Sequence, residues 1–392
     1  MPARVAVIGG SLGGLTAALV LRDAGCDVDV FERSPSKLES RGAGIVLMPV
    51  TMRYLHERRG VRIEAISTSA ERLWYADAGG GAVYEEPCRY RFTAWNTLQR
   101  ALLECFDPDC YHLGEAMTAL DQDGDGAWVT LDGGRRARFD LVVCADGVSS
   151  TARRLLLPDV QPRYAGYVAW RGTVPESEMS AAGLAPLSAS FTYHLTRPGH
   201  IVAYPIPAVD GSVAPGRRLM NFVWYRNLPG GEPLDAVLTD REGVRRELSI
   251  PAGGLQDRFA GELREAAAAL PPALREVVER TEQPFIQAIL DLEVPRMVFG
   301  RVCLIGDAAF VARPHAGAGT AKAAADAWGL AERLRDSGGD VDAALGAWEP
   351  VQLLMGSRLV ARVRDMGDRS QFDGTWRPGD PALRLGLWGP GC

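Results

Sequence analysis

Gly9-Gly10-Ser11-Leu12-Gly13-Gly14 stands between an apolar run, Val5-Ala6-Val7-Ile8, and a segment with helical spacing at Leu15, Ala18, Leu19 and Leu21. Gly9 permits a tight turn, and Gly14 lets a helix approach a strand closely. The helix would then aim unpaired N–H groups at a pyrophosphate. Ser11 takes the usual place of the middle glycine; its side chain is small, and its hydroxyl can reach a phosphate. Glu32 ends the next apolar run, Val28-Asp29-Val30-Phe31, where a carboxylate can accept both hydroxyl hydrogens of an adenosine ribose. Arg33 beside it joins the cofactor-binding candidates. This pattern points to a dinucleotide and does not separate NAD from FAD.

A second turn far along the chain carries related chemistry. Val302-Cys303-Leu304-Ile305 leads into Gly306-Asp307, and Pro314 with Gly317-Ala318-Gly319 then feeds a helical segment containing Ala323, Ala324 and Leu330. Asp307 can anchor a ribityl or ribose hydroxyl. The glycines allow backbone to lie against a planar ring, and a helix starting near Gly319 favours negative charge at its mouth, as a reduced flavin carries near N1 and O2. An NAD site has no comparable need for a second wrapping segment, so FAD is the expected cofactor.

These residues need elements to hold them. The order strand, glycine turn, helix, strand at the N-terminus opens a βαβ unit, and 138–145 supplies a further strand. Between 160 and 230 the pattern changes. The segments 164–173, 191–195, 200–206 and 219–225 are rich in β-branched and aromatic residues, with turns between them, and read as an antiparallel sheet. His200 and Tyr204 are four apart, so strand alternation puts them on one face. They are the first candidates for proton handling or hydroxyl anchoring, against the alternatives of a solvent-facing histidine and a packed tyrosine. Trp170, Arg171, Tyr193 and His194 are further substrate-contact candidates, with Tyr193 facing opposite to His194. Helices are expected over 255–280, 320–336 and roughly 341–366.

Composition narrows the function. The chain has 392 residues, 47% hydrophobic and 23% charged, with a net charge of −6. That balance suits a two-lobed globular protein and gives no reason to expect a nucleic-acid surface. No stretch reaches eighteen apolar residues free of charge, so no membrane span is expected. Seven scattered cysteines without a CxxC pair fit a reducing cytoplasm. Scattered histidines and cysteines form no metal-ligand spacing. Lys37 and Lys322 are the only lysines, which weakens any mechanism that needs a buried amine.

The chain resembles the single-component FAD-dependent aromatic hydroxylases, the para-hydroxybenzoate hydroxylase class. Three motifs carry the likeness in order: Gly9–Gly14 with Glu32, Asp140–Arg153, and Gly306–Gly319. Within the class, Tyr164-Ala165-Gly166-Tyr167-Val168, Trp170-Arg171-Gly172, 201–207 and Arg313-Pro314-His315-Ala316 resemble 2,6-dihydroxypyridine 3-hydroxylases. The resemblance implies an α/β FAD-binding domain of Rossmann-like, glutathione-reductase type, with an inserted α+β substrate domain on a mostly antiparallel sheet. It implies that NAD(P)H reduces FAD, that dioxygen adds at flavin C4a, and that the hydroperoxide hydroxylates an electron-rich ring. The best-matching reaction is 2,6-dihydroxypyridine to 2,3,6-trihydroxypyridine. Rival readings are a hydroxylase of a phenolic or polyketide intermediate, a noncatalytic FAD-fold binding protein and a plain NAD dehydrogenase.

The same likeness gives Asp146 a part in the flavin and nicotinamide surfaces. It places Arg41 where it can contact pyrophosphate or steer the nicotinamide, with an exposed loop arginine as the alternative. His315 falls in the flavin-wrapping turn and becomes a substrate-contact candidate. Trp95 stands where the class often has Arg or Gln, so that flavin contact must come from elsewhere, and Phe310 replaces a common His. The expected division is a FAD-binding part from 1–70, 97–158 and 284–340, and a substrate part from 71–96 and 159–283. A C-terminal helix over 341–366 and an irregular tail over 367–392 complete it. A homodimer is left open.

Overall fold

The computed structural model describes residues 2–36, 38 and 44–392. Its first sheet has six strands and is built around Arg4–Ile8. That strand pairs in parallel with Asp27–Glu32 on one side and Leu141–Cys144 on the other. Val302–Leu304 and Tyr111–Leu113 extend the parallel order outwards. Val5 to Ile8 form an unbroken buried run, as a parallel strand covered on both faces requires. Helices Leu12–Asp23 and Gly319–Asp336 pack on each other. A three-stranded meander, Met117–Gln122, Ala127–Leu131 and Arg136–Phe139, contributes Val129, Leu131 and Phe139 to the same core.

The second sheet has ten strands. Its centre is Arg163–Pro175, flanked by Leu219–Asn227 and Phe285–Glu293, all antiparallel. His200–Ile206 and Ser190–Leu195 follow, and Ser190–Leu195 pairs in parallel with Thr68–Ala76. The hairpin partner Ala82–Ala94 then pairs with a short strand, Gly44–Val46. Gly44–Val46, which follows the nucleotide-binding motif in the chain, thus joins the larger sheet.

Alternation along these strands makes two different cores. One face buries Val168, Trp170, Phe222, Trp224 and Ile286 beneath helices Asp257–Ala267 and Pro272–Arg280. The single expected helix over 255–280 is therefore two, parted at Pro271-Pro272, where proline suits a helix start and not an interior. The other face buries Tyr167, Tyr193, Tyr204, Val223 and Tyr225 beneath the helix Val341–Gln371 and the tail. That helix runs past the expected end at 366. Gly367 is no terminator there, because a Cβ on it would stand 2.6 Å from the Tyr167 hydroxyl and 2.7 Å from Arg313. It is glycine for close approach. The tail is irregular apart from the short turn Pro381–Leu383, yet Trp376, Leu383, Leu385 and Leu387 are buried. No described helix is long and apolar enough to cross a membrane.

Candidate active site

The first glycine turn takes its shape from backbone crowding. Gly9 has φ +103°, and a Cβ on it would lie 2.5 Å from the Ala145 carbonyl oxygen. A Cβ on Gly14 would overlap the Gly9 carbonyl oxygen, so strand and helix touch there. Ser11 is the N-cap of Leu12–Asp23 but its side chain makes no capping bond, which leaves the first helical N–H groups available to an anion. Glu32, 5% exposed, accepts from the Gly10 N–H at 2.8 Å and the Ser34 N–H at 2.8 Å. Its carboxylate thus fixes the turn whose ligand it was expected to read. The Tyr111 hydroxyl donates to the Gly10 carbonyl at 2.9 Å, a support that no sequence pattern announced. Arg33 is exposed, and Arg41 lies outside the described residues.

The distal turn is wired to the middle motif. Buried Arg153 donates to the carbonyls of Asp307 at 3.4 Å and Ala308 at 3.0 Å, and also to that of Val148. Asp146 accepts from the Ser150 hydroxyl at 2.6 Å and the Ala152 N–H at 3.1 Å, so its carboxylate is engaged in capping its own helix. Gly306 has φ +58° and donates to Asp326 at 2.8 Å, and Lys322 donates to the same carboxylate at 2.6 Å. The Lys322 ammonium lies 4.6 Å from the Phe310 ring centre, where an aromatic face attracts a cation. Asp307 has an exposed face but stands in a recess. The surrounding protein raises its carboxyl above the usual range, against the opposing pull of Lys322 and Arg153. Pro314, Gly317, Ala318 and Gly319 form the bend into the next helix. A Cβ on Gly317 would lie 2.5 Å from Val46, whereas Gly319 faces open space. Ala318 gives the helix no side-chain cap, so this helix mouth is also open to negative charge.

On the larger sheet, His200 and Tyr204 share a face as expected, together with Tyr193, Tyr167 and Tyr225. The structure gives His200 and Tyr204 different surroundings. Tyr204 stacks on Phe92 at 4.2 Å and presses on Gly44, whose Cβ would lie 2.5 Å from it. Asn221 accepts from the Gly44 N–H at 3.0 Å, and Arg171 donates to the Gly44 carbonyl at 3.1 Å. Tyr204, Asn221 and Arg171 therefore hold the strand Gly44–Val46 in place. His200 and His315 meet elsewhere, with ring centres 5.4 Å apart, and Tyr225 packs on both. Trp376, from the tail, lies 4.6 Å from His200. Burial pushes His200 down to about 3 and His315 well below its ordinary value, the latter helped by His200 and Arg313. Both rings are neutral at ordinary pH. A neutral His200 with so weak a conjugate acid serves as a hydrogen-bonding group, not as a store for a proton.

Trp170 and His194 do not reach this aromatic cluster. Trp170 is buried on the opposite face, paired in register with Trp224. His194 places Nδ1 2.9 Å from the Ala76 carbonyl on that same side. Alternation told which residues share a face but not which face meets the cofactor. Sequence reasoning also missed Asn96 and Gln99. On helix Trp95–Leu103, which packs against Leu12–Asp23, Asn96 Oδ1 and Gln99 Nε2 are buried without partners among the described residues. Gln99 lies one turn after Trp95, and a lone buried amide between Leu98 and Leu102 was the available signal. No group of His, Cys, Asp or Glu suited to a metal occurs among the described residues.

Comparisons with known proteins decide the family. Residues 2–202 match the FAD binding domain family, and residues 164–291 match a family described as FAD binding domain-like. The 2,6-dihydroxypyridine 3-monooxygenase of Paenarthrobacter nicotinovorans is 40% identical over 98% of this chain and 96% of its own length. The chain belongs to the FAD-dependent aromatic monooxygenases. The solved structure of 2,6-dihydroxypyridine-3-hydroxylase from Arthrobacter nicotinovorans superposes with a TM-score of 0.93 at 39% identity, covering 99% of this chain and 97% of that one. HpxO of Klebsiella pneumoniae, solved with FAD and uric acid, gives 0.78 at 26% identity, covering 94% of this chain and 89% of that one. In this monooxygenase the two uncapped helix mouths, the recessed Asp307 and the orphaned Gln99 amide suit the phosphates, ribityl chain and polarised ring edge of FAD.

Proposed function

We propose that this monooxygenase hydroxylates 2,6-dihydroxypyridine to 2,3,6-trihydroxypyridine. One dioxygen and one NAD(P)H are consumed with a proton; one oxygen atom enters the ring, and the other leaves as water. The observation that supports it best is the meeting of His315, on the turn beside Gly317–Gly319, with His200, Tyr167 and Tyr225 on the sheet face. A small, flat, hydroxylated ring suits a cluster of aromatic faces with a few polar atoms. FAD, when bound, supplies the oxygen-activating chemistry.

The chain's own residues do the rest. Gly9, Ser11 and Gly14 bring the first helix mouth to the pyrophosphate, and Glu32 takes the ribose. Asp307 takes a ribityl hydroxyl, and Gln99 stands in for the contact that Trp95 cannot make. Pro314, Gly317, Ala318 and Gly319 lay backbone beside the ring system. Tyr204, Asn221 and Arg171 steady Gly44–Val46 on the other side of that bend. The aromatic residues exclude water, which guards against wasted reducing equivalents.

The test is a substrate panel of dihydroxypyridines and simple phenols, with NAD(P)H and oxygen consumption followed and products read by mass spectrometry. The expected result is fast NAD(P)H oxidation with 2,6-dihydroxypyridine and a matching yield of product one oxygen heavier. Fast oxidation that yields only hydrogen peroxide would reject that substrate.

A further inference from the structure

The hydrogen-bond partners of His200 and His315 favour one tautomer for each neutral ring. Ser370 Oγ lies 2.6 Å from His200 Nδ1 and accepts an N–H from the Gln371 amide at 2.9 Å. A hydroxyl has one hydrogen to give, and among the described residues Nδ1 is the only acceptor the Ser370 hydroxyl meets. With the Gln371 amide turned this way, His200 accepts at Nδ1 and carries its hydrogen at Nε2. At the other ring, Tyr167 Oη lies 2.7 Å from His315 Nε2. The Arg313 guanidinium stands over the Tyr167 ring, 5.6 Å from its centre. Against the upward push of burial, Arg313 also acts on the Tyr167 hydroxyl itself, so the phenol's lone pairs face a donor and its hydrogen turns to His315. His315 then carries its hydrogen at Nδ1, a buried atom with no hydrogen-bond partner among the described residues. Its ring is only 4% exposed. A buried donor left without an acceptor is costly and points to a missing ligand.

We propose that His200 Nε2–H and His315 Nδ1–H form a paired donor site for one ionised ring oxygen of the substrate, with Ser370 and Tyr167 as positioning residues that set the two tautomers. This rests on the hydroxylase reading above and deepens it. Two donors with no base between them favour an oxyanion over a hydroxyl, because hydrogen bonds to a charged acceptor are about twice as strong. Ionisation also makes the ring richer in electrons, which is what hydroxylation needs. The titratable and charged groups facing the two rings are Tyr167 and Tyr225 from one side of the sheet, Tyr193 beside His200, and Arg313 next to His315. Arg313 is itself balanced by Asp291 at 2.8 Å and Asp368 at 2.7 Å. Burial holds the tyrosines in their neutral form, so the bound oxyanion is the group whose charge changes with pH.

The test uses the FAD-loaded enzyme and reads the dissociation constant of 2,6-dihydroxypyridine from the change in flavin absorbance, across the substrate's own ionisation. Wild-type binding is expected to tighten as pH rises through that ionisation. Ser370→Ala and Tyr167→Phe are each expected to weaken binding of the anion about tenfold or more, as for a lost charged hydrogen bond, and to flatten the pH profile. KM should rise more than kcat falls. Ser370→Thr keeps the hydroxyl and should restore the wild-type profile; if Tyr167→Phe fails to hold FAD, the Ser370 pair decides. Wild-type affinity and pH profile in Ser370→Ala, with the substrate still hydroxylated, would overturn the paired-donor site alone. A wild-type enzyme that neither binds nor hydroxylates the compound would remove the hydroxylase reading and this site together.

Discussion

At the nucleotide end of the molecule the proposed grip is mostly backbone amides, with the Glu32, Asp307 and Gln99 side chains beside them, while at the aromatic end the proposed contacts are side chains drawn from segments far apart in the chain. Gly9–Gly14 and Gly317–Gly319 offer turn geometry and uncapped helix mouths, each a short continuous stretch of chain. His200 and Ser370 meet across 170 positions of sequence, and Tyr167 and His315 across 148. On the proposed reading, the first region should keep its cofactor when side chains other than Glu32, Asp307 and Gln99 change. In the second, one altered partner changes which atom carries a hydrogen. Grip and specificity are thus built on different physics, and they should fail separately.

The largest separation is expected from the tail. Trp376 is 5% exposed and donates to the Tyr75 hydroxyl at 3.3 Å. Trp376→Ala should cost about 3–5 kcal/mol of stability, as for other buried large aromatics, and should raise KM while FAD remains bound. Denaturant melts and substrate kinetics check this; a variant that sheds FAD but keeps its substrate affinity would reverse the assignment. At the other end, Asp307→Ala should weaken FAD affinity by about 1.5–3 kcal/mol, the worth of a hydrogen bond to a charged group. Flavin titration of the apoprotein reads it, and an unchanged affinity would remove Asp307 from the grip.

A pH series sharpens the contrast. His200 has its ordinary value of 6.5 when unfolded and about 3 when folded. Below pH 6.5 the unfolded chain binds the proton and the folded chain does not. Stability is therefore full above about 6.5 and falls as pH drops towards about 3, by about 1.4 kcal/mol per pH unit for this one group. His200→Asn should show a shallower fall in denaturant midpoint; an identical slope would contradict a buried neutral ring. The smallest effect is expected at Gln99. Gln99→Leu should weaken FAD binding by about 1 kcal/mol, the net worth of one neutral hydrogen bond, without altering substrate KM in flavin-saturated enzyme. Unchanged FAD affinity would show that the amide serves another neighbour.

The same contrast explains how far the sequence could be read. The strand–glycine–helix order at Gly9–Gly14, the acid at Glu32 and the second glycine turn are local, and the structure forms them where expected. Alternation placed His200 and Tyr204 on one face and set Tyr193 opposite His194, but could not tell that Trp170 and His194 turn to the face under helices Asp257–Ala267 and Pro272–Arg280. Asn221, Ser370 and Trp376 carry no motif. Their importance lies in what folding brings beside them. Gly367 shows the same limit from the other direction, since a glycine read locally suggests a helix end, while the packed Tyr167 and Arg313 demand it mid-helix.

The central claim is that two distant turns grip one flavin so that its ring faces the His200–His315 cluster. The most direct test is the flavin content of folded, purified protein, measured before and after titration with FAD. The account expects a yellow protein that saturates at one FAD per chain and whose flavin spectrum shifts when 2,6-dihydroxypyridine is added. A folded chain that takes up no flavin, or one whose bound flavin ignores every hydroxylated ring offered, would contradict it.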